Sequence, residues 1–197
     1  NDILVMKLDS RGEIKWRNIL GTPSDEEAHS LAIDSSGNIY VTGYTLGGLD
    51  GNTNYGKSDL FIVKYNNNGV KQWTQQLGSP SHDKGFGISI DSSDQIYVTG
   101  YTEGEFDGKS NSGRSDIILV KYNVDGVRMW TQMIGTHLDD IGYSVTVDSL
   151  DNVYVTGSTY GDFYGEKNIG GRDIVLVIFD SDGVKKWSKQ IGTSSND

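Results

Sequence analysis

The groups in this 197-residue chain that could do chemistry are 27 carboxylates, 11 tyrosines and three histidines; there is no cysteine. One acidic set lies just ahead of recurring apolar runs: Asp25-Glu26-Glu27, His82-Asp83, Asp139-Asp140 and Asn196-Asp197. Carboxylates converging in this way could hold calcium, which takes several oxygen ligands. Glu26, Asp83 and Asp140 are the candidate ligands. No loop carries a spaced D-x-D-x-D-G run, and Asp180-Ser181-Asp182-Gly183 offers only two carboxylates. The preferred reading is therefore that these residues are solvated or cap turns by accepting from backbone N–H groups. No resident cofactor is expected, calcium being the one ion the acidic loops could take.

A second set occupies three longer polar stretches. It comprises Asn52, Asn54 and Tyr55, then Lys109 and Asn111, then Tyr160, Asp162 and Tyr164. Aromatic rings beside amide and carboxylate groups suit a sugar, by stacking plus hydrogen bonds to hydroxyls. Leu49, Phe106 and Phe163 align within these stretches and read as apolar anchors that fold each loop down. His29, His82 and His137 have no common position and read as surface or packing residues. Asp34, Asp91 and Asp148 each precede a tight turn, so they read as fold residues. Lys7, Lys64 and Lys121 align with Ile178, so that lysine is not a catalytic requirement. No nucleophile motif or phosphate-binding glycine loop stands out, and the chain is not expected to be an enzyme.

The elements that position these residues follow from an internal repeat. Trp16, Trp73, Trp130 and Trp187 are 57 residues apart, as are Asp2, Asp59, Asp116 and Asp173, and Gly21, Gly78, Gly135 and Gly192. Each copy reads as four short strands. Strand A (residues 30–34, SLAID) alternates small and apolar residues. Strand B (39–45, IYVTGYT) is β-branched and aromatic. Strand C (60–65, LFIVKY) is apolar at nearly every position, as expected when both faces are covered. Strand D (70–77) carries the tryptophan. Asx and Gly residues make the A–B and C–D hairpins. Four strands per unit, repeated, predict an all-β chain: a β-propeller segment of stacked antiparallel blades rather than a solenoid. The expected units are a half-blade at 1–25 (C and D strands) and blades at about 26–82, 83–139 and 140–197. Small residues Ser30, Ala32, Gly87, Ser89, Ser144 and Thr146 are expected to line the central channel.

The net charge of −10 argues against nucleic acid and anionic lipid as partners. No apolar run reaches the roughly 20 residues of a membrane span.

The runs DSSGNIYVTGYT (34–45) and SDLFIVKYNNNGVKQW (58–73), with the closing LG, resemble the SBBP-type β-propeller repeats of prokaryotic surface and secreted proteins. The turn followed by tryptophan is similar to the tryptophan-docking motif of quinoprotein propellers. That resemblance implies that Trp16, Trp73, Trp130 and Trp187 are structural ties between blades, that strand A is innermost, and that the protein is extracellular or on the cell surface. It implies no activity. The function expected is a non-catalytic structural or interaction module. Its partners would be further blades of a longer chain, other copies of itself, a glycan or another surface protein. The rivals are glycan- or calcium-dependent binding at the long-loop end and, last, a quinoprotein-like or hydrolytic enzyme.

Overall fold

A computed structural model describes residues 1–197 as fourteen strands with no α-helix. The strands are β1 (Ile3–Leu8), β2 (Ile14–Leu20), β3 (Glu26–Ile33), β4 (Ile39–Thr45), β5 (Asp59–Tyr65), β6 (Lys71–Leu77) and β7 (Asp83–Ile90). They continue as β8 (Ile96–Thr102), β9 (Asp116–Tyr122), β10 (Arg128–Ile134), β11 (Asp140–Val147), β12 (Val153–Thr159), β13 (Asp173–Phe179) and β14 (Lys185–Ile191). They form one two-stranded sheet, β1-β2, and three four-stranded antiparallel sheets, β3 to β6, β7 to β10 and β11 to β14, each in chain order. This is the succession of blades that the 57-residue period predicts.

No sheet has a core of its own. Three apolar clusters lie between sheets. Ile3, Val5 and Leu20 meet Val41, Phe61 and Val63. Tyr40, Leu60 and Ile62 meet Ile88, Val98 and Val120. Tyr97, Ile117 and Leu119 meet Val145, Val155 and Val177. Strand β5 therefore sends Phe61 and Val63 one way and Leu60 and Ile62 the other, which is why its sequence is apolar without alternation.

Strand A begins four residues earlier than the sequence suggested, at Glu26, Asp83 and Asp140. The early start looks loop-like because it is polar, but an inter-sheet bond holds it. The amides of Glu26, Asp83, Asp140 and Asp197 donate to the carbonyls of Asn1, Ser58, Ser115 and Arg172 at 2.7–2.9 Å. The register slips once on each A strand, past His29, Phe86 and Tyr143.

Of the small residues of strand A, Gly87 and Ala32 are packed against the neighbouring sheet, while Ser144 and Thr146 are exposed. A Cβ on Gly87 would come within 2.9 Å of Ser144 Cα on the next sheet, and Ala32 packs into the cluster that contains Ile88. Where two sheets meet, Gly87 and Ala32 allow the close approach.

The tryptophans tie blade to blade. The Trp16, Trp73 and Trp130 indole N–H groups donate to the carbonyls of Asn67, Val124 and Ser181, in the C–D turn of the following sheet, at 3.1–3.2 Å. Gly69, Gly126 and Gly183 of those turns have φ near +80°. A Cβ at Gly126 or Gly183 would strike the ring at 2.9–3.0 Å, so glycine is required for conformation and for closeness. These three rings are half-buried rather than fully covered, and Trp187, with no turn over it, is 47% exposed. Lys64 and Lys121 donate to the same Val124 and Ser181 carbonyls at 3.0 and 2.9 Å, which gives the strand C lysine a structural part.

Candidate binding surface at the loop end

The D-to-A and B-to-C connections lie together at one end of the sheets, with the polar residues that the sequence singled out. Their geometry follows from what the loop backbones need. Leu49, Phe106 and Phe163 are buried anchors. The amides of Leu49 and Phe163 donate to Gln76 and Gln190 Oε1, both at 2.9 Å. Asn52 Nδ2 donates to Leu49 O at 2.8 Å. Asn54 Oδ1 accepts from the Gly56 amide, and Asn111 Oδ1 from the Gly113 amide. Asp162 accepts from the Asn168 amide at 3.0 Å and pairs with Lys167 at 3.4 Å. These side chains hold their own loops. Tyr164 adopts φ +49° and lies under the Lys185 ammonium, 3.5 Å from its ring centre. Tyr55 is exposed, and Lys109 is exposed beside a one-bridge turn with Phe106.

The candidate ligands sit on three successive loops, and no common site gathers them. One of them does meet partners across a junction. Tyr160 lines a shallow cleft of about 500 Å³ with Arg114, Asp139 and Gly171. Arg114 and Asp139 are 3.6 Å apart there.

Within the acidic set, Asp25, Glu27 and Asp197 are exposed, but the three candidate ligands are not solvated. Glu26, Asp83 and Asp140 are buried at the start of strand A. Each bends back to cap its own loop, accepting from the amide and hydroxyl of Thr22, Ser79 and Thr136 at 2.5–2.9 Å. Burial raises the carboxyls of Asp83 and Asp140 above the usual range, against the pull of those bonds. Asp59 and Asp116, at the start of strand C, are raised by burial as well. By contrast, Asp148 accepts from Asn152 Nδ2, two amides and the Tyr154 hydroxyl, and its carboxyl falls to about 2.

A row of rings escaped the sequence reading. His29, Phe86 and Tyr143 occupy the slipped position of strands β3, β7 and β11. Their ring centres are 4.8 and 5.9 Å apart in succession. Tyr44 and Tyr101 flank them at 5.7 and 5.8 Å, and the Lys84 ammonium lies 3.9 Å from the Tyr44 ring centre. Burial lowers the His29 imidazole. The signal in the sequence is the 57-residue interval, which 29, 86 and 143 share. Arg172, next to the Tyr160 cleft, donates to the Tyr143 hydroxyl at 3.4 Å, so row and cleft adjoin.

The blades, their period and their ties define a repeat protein of propeller type. The SBBP beta-propeller repeat family matches residues 15–50, 72–107 and 130–164, and the chain belongs to it. Regulatory protein FlaEY of Caulobacter vibrioides is 27% identical over 173 residues, covering 80% of this chain and 17% of that protein. An uncharacterized WD repeat-containing protein of Acanthamoeba polyphaga mimivirus, L264, is 25% identical over 222 residues, covering 93% of this chain and 15% of that one. The chain thus spans about a sixth of the length of these relatives. Among solved structures, a gluconolactonase from Xanthomonas campestris aligns with 17% identity and a TM-score of 0.48, over 95% of this chain and 55% of its own. No helix is long and apolar enough to cross a membrane.

Proposed function

We propose that this chain is a non-catalytic structural and interaction module that works by continuing its own stack of blades. The observation that carries the reading is an apolar cleft of about 520 Å³ between β1 and β3, lined by Ile3, Val5, Met6, Leu31 and Val41. Leu31 is 58% exposed there, whereas its counterparts Ile88 and Val145, each under a preceding blade, are 7% and 6% exposed. Strand β1 pairs with β2 alone, so its other edge is open, and Leu4, Met6 and Leu8 are exposed along it. In the other three sheets the matching edge of strand C is occupied by strand B, with strand A beyond. The occupant that fits edge and cleft together is therefore an A–B strand pair of this repeat type, added by strand pairing. Loop-end side chains engaged in capping and anchoring support a scaffold more than a reaction centre.

The reading is tested by titrating a peptide of residues 83–102, one A–B pair, against the chain by calorimetry. Saturable binding that Met6→Lys and Leu31→Lys weaken at least tenfold is expected. Binding indifferent to both substitutions would refute it.

A second reading has its own observation. The His29–Phe86–Tyr143 row beside the Tyr160–Arg114–Asp139 cleft offers ring faces next to paired charges, which suits a glycan. Glycan-array binding lost in Phe86→Ala would promote it. An extracellular or cell-surface location is the proposal that goes with either reading, supported by the likeness of the repeats to those of surface and secreted proteins.

A further inference from the structure

Each junction between sheets joins two unlike faces, and each kind of face occurs once more without its complement. In a built junction the first sheet brings a tryptophan and apolar residues of strands C and D. The following sheet brings a glycine turn over the indole and alternate residues of its own strand C. Ile117, Ile134 and Trp130 thus meet Val175, Val177 and Phe179, and Trp16 stacks on Tyr65 with ring centres 6.3 Å apart. Sheet β11–β14 presents the tryptophan face again. Ile174, Trp187 and Ile191 stand one period after Ile117, Trp130 and Ile134, yet all three are exposed, whereas Ile117 and Ile134 are buried. Sheet β1–β2 presents the receiving face. Leu4, Met6 and Leu8 stand one period before Phe61, Val63 and Tyr65; the first three are exposed and the last three buried. The β1–β2 turn already has the receiving shape. Its Gly12 amide donates to Asp9 O at 3.0 Å and Gly12 has φ +82°, as Gly69, Gly126 and Gly183 have +79°, +79° and +82°. A Cβ on any of those three would run into an indole, but a Cβ on Gly12 meets nothing within 4 Å. Ser10 stands where Asn67, Val124 and Ser181 offer their carbonyls. One indole lacks a turn, and one turn lacks an indole.

We infer that these two faces bind each other between copies of the chain. Sheet β11–β14 of one copy takes the β1–β2 hairpin of a second. Trp187 Nε1 then donates to the second copy's Ser10 carbonyl, and Leu8 of that copy lies against the indole ring. The occupant follows from continuity. The contact repeats, position by position at the 57-residue period, the junction that holds the chain's own blades together. Two exposed apolar faces that complete one another are each other's natural cover. The contact is heterologous, so it gives a ring if its rotation closes and an open chain if it does not. It is weaker than an internal junction. The receiving hairpin lacks the A–B strands that bring Val145 and Val155 against sheet β7–β10. Ile178 also stands where Lys64 and Lys121 reinforce the turn carbonyl. Association is therefore expected well above the low micromolar concentration of a dichroism melt. The inference goes beyond the strand-pair site at β1 and β3, because it assigns a partner to the Trp187 face, which that site does not include.

The test is sedimentation equilibrium of the chain from low micromolar to several hundred micromolar, with Trp187→Asp and Leu8→Asp as single-face variants. The parent should rise from the mass of one chain to that of two or more. Each variant alone should stay at one chain, since it has lost one of the two faces. Mixed in equal amounts, the variants should form one-to-one dimers and nothing larger, because one intact face of each kind remains. Nitrogen-resolved NMR of the parent decides if a variant does not fold. Trp187→Phe identifies the Trp187 indole signal, which should move with concentration more than those of Trp73 and Trp130. The peptide of residues 83–102 should still bind Trp187→Asp, so the strand-pair reading and this one fail separately. A parent with the mass of one chain throughout overturns the inference. So does association that Trp187→Asp leaves intact, or a mixture of the two variants that does not associate.

Discussion

Replacing Trp130 by alanine isolates what one inter-blade tie contributes. The ring is half-buried, lies 5.9 Å from the Tyr97 ring and sits under Gly183 of the next blade. Full truncation of a buried Trp costs about 3–5 kcal/mol, and half-burial brings that to roughly 2. The lost bond from Nε1 to Ser181 O adds about 0.5–1 kcal/mol. The increment stays small because Lys121 still donates to that carbonyl at 2.9 Å. The sum is about 2–3 kcal/mol, or roughly 4–12 °C in melting temperature for a chain of this size. The matched control is Trp187→Ala, which removes the same side chain where no turn covers it; its cost should be no more than about 1 kcal/mol. Thermal melts by circular dichroism give both values. Equal losses in the two variants, or a Trp130→Ala melt within a degree of the parent, would refute the docking argument.

Gly126→Ala should cost about 2 kcal/mol or more in urea unfolding. Gly51→Ala, at a similar φ of +82° but with nothing within 4 Å, should cost only about 1. Lys64→Met should change stability by no more than about 1 kcal/mol, since Trp73 keeps the Val124 carbonyl bonded and the fourth copy carries Ile178. The Asp148 carboxyl, held at about 2 in the folded chain against 3.8 unfolded, stabilises the A–B turn above pH 4. That contribution falls away as the pH drops from about 4 to about 2. Carbon-detected NMR should find Asp148 ionised at pH 3, and a titration midpoint near 4 would show that its bonds do not form in solution.

The blades were legible because spacing and side-chain type agree at every level: a 57-residue period, an apolar strand C and Asx-Gly turns. The start of strand A was not. Glu26, Asp83 and Asp140 have the composition of a loop, and only the amide bond to the preceding sheet makes them strand and buries them. The same bond explains why turn capping was foreseen and solvation was not found. The close approach of Gly87 to Ser144 on the next sheet is not visible in the sequence, because a small residue at an edge strand fits crowding at the axis as well as crowding between sheets. The loop candidates failed to gather because Asn52, Asn54, Asn111 and Asp162 are used by their own backbones. The His29–Phe86–Tyr143 row depends on rings of three kinds at one repeat position, so matching by residue identity passed over it.

The central claim is that the cleft at β1 and β3 is a place for an A–B strand pair. The direct test is to fuse a second copy of residues 26–57 in front of Asn1, which the 57-residue period brings into register, and to follow β1 by amide hydrogen exchange. The account predicts that β1 amides become as protected as those of β5 and β9, that β14 is unchanged, and that the melting temperature rises. An added segment that exchanges as freely as unfolded chain, with β1 exposed and the melt unmoved, would contradict it.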